Sequence, residues 1–189
     1  MKRGFQFCIV LLVAVLAFAF AHRADAEEKF TVTSPEMTDG GALPLAQVMN
    51  GFGCQGANRS PPLAWSTPPP GTGSLAITMF DPDAPGGGWW HWIVFNLPPG
   101  TTEITESQGA QGAAPLPGGA VQGRNDFGTS GYGGACPHIG SLAHHYVITI
   151  WALDAAALPF DAQAKDASIA AFLAQHEIAK ATITVSYGR

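Results

Sequence analysis

The stretch Met79–Gly100 reads "MFDPDAPGGGWWHWIVFNLPPG". It opens as a β-strand, breaks into Asp-Pro and Ala-Pro turns and a glycine run, and returns as a strand. The two strands and the turn between them form a hairpin, and its mouth carries Asp81, Asp83 and His91. Proline fixes φ, so Pro82 and Pro85 stiffen the segment and can aim Asp81 in one direction. Two X-Pro bonds beside a sharp turn predict at least one cis bond, before Pro82 or before Pro85. Strict alternation along the returning strand puts His91 on one face and both Trp90 and Trp92 on the other. Each polar residue also has a plain reading. The aspartates can cap the turn through Asx hydrogen bonds, and His91 can be a satisfied core histidine.

Outward from the hairpin, strand-like runs recur as "KFTVTS", "PLAWS", "SLAITMF", "WIVFNL", "HYVITIWAL" and "ATITVSY". Each is rich in β-branched or aromatic residues, and Pro- and Gly-rich punctuation such as "TPPPGTGS" separates them. Gly109–Gly119 reads as a flexible surface loop. One helix is predicted over Ala164–Ile178, with Ile169, Phe172, Leu173 and His176 on the face that packs on the sheet. No internal repeat or interdomain linker is evident. The fold class that follows is all-β: a single antiparallel β-sandwich with one short C-terminal helix.

The first residues stand apart from that fold. Met1-Lys2-Arg3 is a short basic start, Phe5–Phe20 is almost wholly apolar, and "ADA" at Ala24–Ala26 has the small-x-small form of a signal-peptidase site. The apolar run is shorter than the ~20 residues a membrane helix needs. The expectation is a secretory signal peptide over residues 1–26 and one domain over 27–189, periplasmic or secreted, with no stable membrane insertion after cleavage. No cysteine sits at the cut, as a lipoprotein would require. Losing Lys2, Arg3, Arg23 and Asp25 takes nine basic and fourteen acidic side chains to six and thirteen, a net charge of −7. That balance argues against nucleic acid or an anionic membrane as the main partner, because both need a basic face.

Cys8 leaves with the signal peptide, which leaves Cys54 and Cys136. In an oxidising compartment a Cys54–Cys136 disulfide is the economical reading; two separate thiols or a reactive Cys136 are the alternatives. Cys136 lies in "GRNDFGTSGYGGACPHIGSLAHHYVITIWALD", Gly123–Asp154, a glycine-rich loop that runs into a strand. Glycines let successive backbone N–H groups turn toward one point, an anion-binding nest. Alternation puts His144 and Tyr146 on one face of the strand and His145 on the other.

Taken together, "DPDAP", the histidine that opens the next strand and the "GxCPxxGxxxHxY" pattern resemble the phosphatidylethanolamine-binding protein family, most closely its bacterial Raf kinase inhibitor-like branch. "NGFGCQGANRSPPLAWSTPPPGTGSLAITMFDPDAP" and "GRNDFGTSGYGGACP" extend the likeness, which runs from about Phe30 to Tyr187. The resemblance implies a β-sandwich with a small anion pocket at one end, formed by Asp81, His91, Gly134, Cys136, Pro137, His144 and Tyr146. Asp83, Trp89 and His138 would stand at its rim. Such pockets take phosphate-like or acetate-like groups, in eukaryotic members phospholipid or nucleotide head groups, with no cofactor. Eukaryotic relatives also bind kinases or other signalling proteins, so a protein partner is a further expectation.

Two departures stand out. The usual "CPP" is Cys136-Pro137-His138 here, and the usual His-Arg-Tyr is His144-His145-Tyr146. An ionised Asp81 only accepts hydrogen bonds, so beside an anion it must share a proton with the ligand or orient His91. The competing readings are a hydrolase using Cys136, His138 and His144, and a metal-binding protein using Asp81, Asp83, His91 and His144.

Overall fold

The structure, a computed structural model, describes residues 28–189, so the signal peptide expected over 1–26 lies outside the described residues. In chain order the strands are β1 (Val32–Thr33), β2 (Asn50–Gly51), β3 (Cys54–Gln55), β4 (Leu63–Trp65), β5 (Ser74–Asp81), β6 (Trp89–Leu97), β7 (Glu103–Ile104), β8 (Val121–Gln122) and β9 (His144–Leu153). Helix α1 (Asp166–His176) and β10 (Glu177–Tyr187) complete the chain. The main sheet has the order β10-β9-β5-β6-β8, a smaller sheet the order β1-β4-β7, and β2 and β3 form a separate hairpin. All these strand pairings are antiparallel. The architecture is the expected all-β one with a single short helix among the described residues.

The six strand-like runs of the sequence all hold strands. The short β2, β3, β7 and β8 carry too few apolar residues to have been read. The predicted helix is trimmed at both ends: Ala164 and Lys165 precede it, and Ile178 already lies in β10. Its buried residues, Ile169 and Leu173, belong to the expected face. In the predicted 109–119 loop Gly109 is not a free surface residue. It is buried, and a Cβ there would stand 2.2 Å from the Trp92 ring.

The main sheet is covered on both faces. Leu75, Ile77, Met79, Trp92, Val94, Ile148 and Ile150 pack toward the small sheet's Leu63, Trp65 and Ile104. On the opposite face Ala76, Ile93, Phe95 and Leu153 pack with Leu158 and with Ile169 and Leu173 of α1. This accounts for the near-continuous burial of β5 and β6, since a strand covered on both sides has no solvent face to keep polar.

The hairpin at the head of the sequence differs from the expectation in two ways. The peptide bonds before Pro82 and Pro85 are both trans. The β5–β6 register also slips: Phe80 lies opposite Trp90, but Met79 lies opposite Trp92. His91 is therefore the extra residue of a β-bulge, which re-aims side chains locally. Strict alternation fails here. Trp92 is buried between the sheets, Trp90 packs on the helix side, and His91 stacks edge-on against Tyr146 of the inter-sheet face.

Candidate functional site

Three neighbouring strands of the main sheet end or begin at the same edge. β5 delivers Asp81, β6 delivers Trp89 and His91, and β9 delivers His144 and Tyr146. With Ala84, Pro85, Phe127, Cys136, Pro137 and His138 these residues line one cavity of about 260 Å³. Of the residues expected at the pocket, Asp81, His91, Cys136, Pro137, His144 and Tyr146 are brought together, and so are the rim residues Trp89 and His138. Asp83 is not among the lining: its carboxylate turns outward and accepts the backbone N–H and the Nδ1–H of the exposed His145. Those bonds, the backbone one foremost, hold the Asp83 pKa below the ordinary carboxylate value.

Gly134 is the second correction. Its N–H donates to Asn58 Oδ1 at 2.7 Å, and the neighbouring Gly133 N–H donates to the His91 carbonyl at 2.9 Å. Both amides are consumed inside the protein, so they do not form a nest open to a ligand. The glycine is there for space, because a Cβ on Gly134 would lie 2.4 Å from the Met49 nitrogen. The glycine-rich loop packs its backbone tightly against the 47–49 segment and so carries Cys136 to the cavity wall. There Cys136 is bonded to Cys54, with their Cα atoms 5.9 Å apart, which removes the thiol nucleophile that a hydrolase reading needs.

Asp81 is buried and organises the wall. One carboxylate oxygen accepts the N–H groups of Asp83 (2.9 Å) and Ala84 (3.1 Å), the Asx capping that its place before Pro82 allows. The other accepts the Nδ1–H of His144 at 2.7 Å. His91 Nε2 stands 4.0 Å from that same oxygen, too far for a hydrogen bond. The histidine that Asp81 orients is thus His144 and not His91.

His91 is fixed from its other side. Its Nδ1 lies 2.8 Å from the Gly133 carbonyl. A carbonyl only accepts, so Nδ1 carries the proton, and in the neutral ring Nε2 presents a lone pair. Burial pushes the His91 pKa down; the Gly133 carbonyl and Asp81 oppose this only in part. Tyr146 completes the wall. Burial and the nearby Asp81 carboxylate push its phenol pKa up, so it remains a donor.

Two donors at this site have no partner. The Tyr146 hydroxyl and the Trp89 indole N–H are buried without a hydrogen bond among the described residues. Buried polar groups are rarely left so, and each costs free energy until something accepts from it. No Lys or Arg among the described residues lines the cavity. As for the metal reading, no three His, Cys, Asp or Glu side chains among the described residues are arranged to hold an ion. Sequence reasoning missed Phe127, which stacks edge-on against both Trp89 and His91, and Asn58, which holds Gly134. Both sit in loops whose local sequence carries no signal of where they fold back.

Comparison with known proteins agrees with this architecture. The family model described as phosphatidylethanolamine-binding protein matches residues 33–188. The Escherichia coli UPF0098 protein YbcL is 46% identical over 180 residues, covering 94% of this chain and 97% of that one. The crystal structure of YbcL, described as a new member of the mammalian PEBP family, superposes with a TM-score of 0.83 at 47% identity, covering 85% of this chain and 99% of that one. A Mycobacterium tuberculosis protein named as lipoprotein LppC is 39% identical over 133 residues, covering 70% of this chain and 60% of that one. The chain belongs to the phosphatidylethanolamine-binding protein family.

Proposed function

We propose that this chain is an exported binding protein whose pocket receives a phosphate- or carboxylate-type acid group without turning it over. The observation that carries the reading is the pair of buried, unpartnered donors, Tyr146 Oη and Trp89 Nε1, at the wall of the cavity. An oxyanion brought to this wall offers the acceptor that each of them lacks. Export is supported by the Cys54–Cys136 disulfide, which an oxidising compartment maintains, and by the lipoprotein name of one relative.

The wall also sets the protonation state. The Asp81 carboxylate and the Nε2 lone pair of His91 stand in the same wall as Tyr146, and both repel an anion's oxygens. An incoming anion therefore draws a proton onto His91 Nε2 or arrives with a proton of its own. A protonated His91 beside an anion gains where the bound group displaces water and the local dielectric falls. Titration of the protein with inorganic phosphate, followed by calorimetry, tests the reading. Saturable binding that Tyr146→Phe and His91→Ala both weaken is expected; binding that neither change affects would place the anion elsewhere and overturn it.

A further inference from the structure

The cavity does not end at His138. Trp89, Phe127, Cys136 and His138 also line an adjoining groove of about 550 Å³, whose far side is formed by Phe52, Asp126 and Arg189. The rings of Phe52 and Phe127 stack with centroids 6.2 Å apart, giving the groove an apolar floor. Arg189 is the cation of this groove and is held rigidly. Its Nε–H donates to the Pro137 carbonyl at 2.7 Å and its Nη2–H to the Phe52 carbonyl at 3.2 Å. These bonds tie the two loops that the disulfide also joins. Nη1 makes no hydrogen bond among the described residues, and no side-chain carboxylate pairs with the guanidinium.

A guanidinium fixed by two carbonyls with one edge free is preorganised for an anion, since little rotamer freedom remains to be lost on binding. The opposing charge in the groove is Asp126, which is occupied by the Trp90 N–H at 2.6 Å and whose pKa burial pushes up. Arg189 thus lines a groove that shares Trp89, Phe127, Cys136 and His138 with the pocket, without an ion-pair partner among the described residues, in a chain whose overall charge is acidic.

We propose that the groove is the second half of the binding site: the molecule that places one acidic group in the pocket carries a second anionic group, received by Arg189, on a short planar or apolar spacer lying over Phe127. This rests on the pocket reading above and adds to it the ligand class, a two-headed acid. A one-headed ligand of the same spacer uses the pocket alone.

Calorimetric titration with phenyl phosphate and with 4-carboxyphenyl phosphate at one ionic strength separates the two. The two-headed compound is expected to bind about fivefold tighter, the scale of a partly exposed ion pair. In Arg189→Gln the order should reverse, because Asp126 and the acidic net charge then act on the carboxylate unopposed; the two compounds are compared on the same variant, so any shift of the Pro137 loop on losing the guanidinium enters both affinities. Equal or weaker binding of the two-headed compound to the unaltered protein would overturn the inference, as would an advantage that survives Arg189→Gln. If that variant fails to fold, the advantage in the unaltered protein must shrink with added salt, and one insensitive to salt counts against Arg189. Phenyl phosphate that binds with no gain from the carboxylate removes this inference only. Phenyl phosphate that fails to bind at all removes the pocket reading and this inference with it.

Discussion

Tyr146 has a phenol that the protein itself leaves unpaired, and this makes it the sharpest probe of the pocket. A buried hydroxyl without a partner costs roughly 1–3 kcal/mol. Tyr146→Phe should therefore leave the thermal midpoint of the phosphate-free protein unchanged or raised while lowering phosphate affinity; a clear loss of stability without phosphate would show that the hydroxyl is already satisfied. His91→Ala should weaken phosphate binding by about 1.5–3 kcal/mol, the worth of a hydrogen bond to a charged group, in the same titration. With sulfate, which does not titrate near neutrality, affinity should fall as pH rises from about 5 to 8 and this dependence should vanish in His91→Gln. The convergence of Asp81, His91, His144 and Tyr146 on one cavity was legible from turn chemistry, alternation in β9 and family likeness, though not from alternation in β6, which the bulge breaks. The pairing among them was not. Asp81 and His91 are close in sequence and share a hairpin, yet the carboxylate bonds to His144, which sequence places 63 positions away.

At the scale of elements, the bulge at His91 decides the site. It leaves Trp92 in the inter-sheet core and still turns His91 onto the same face, which no straight strand could do. A bulge has no signal in a run such as "WWHWIVF", because every residue there suits a strand, so the slip in register was illegible. The glycine loop was half legible. Cys136 and Pro137 from it line the cavity, but Gly134 does not, and close packing explains that glycine. Gly134→Ala should cost about 1–3 kcal/mol of stability, as overpacking does, seen as a lower urea midpoint. A neutral result would mean that the 47–49 backbone yields freely. The disulfide is the element's other brace. It joins residues 82 positions apart, and replacing Cys54 and Cys136 together with Ala should destabilise the protein by about 2–5 kcal/mol.

Across the whole molecule, the sequence showed an antiparallel sandwich and a helix packed on a sheet, but not which face of which sheet the helix covers. The apolar runs of β5 and β6 look the same whether one face or two are covered, and the packing of α1 on the outer face is set by contacts distant in sequence. The layered core brings a pH dependence with it. The folded pKa of His91 lies below its unfolded value of about 6.5, so its contribution to stability is full above that pH and is lost as the pH falls toward the folded value. Urea unfolding should show this decline in the anion-free protein and a flatter profile for His91→Gln; a rise in stability on acidification would contradict the burial argument. The central claim is that an anion enters this pocket and puts a proton on His91. It is tested most directly by the side-chain ¹⁵N shifts of His91 at neutral pH, with and without phosphate. Without phosphate the ring should be neutral with its proton on Nδ1, and phosphate should move Nε2 to the protonated position. A ring unchanged at saturating phosphate would contradict the account.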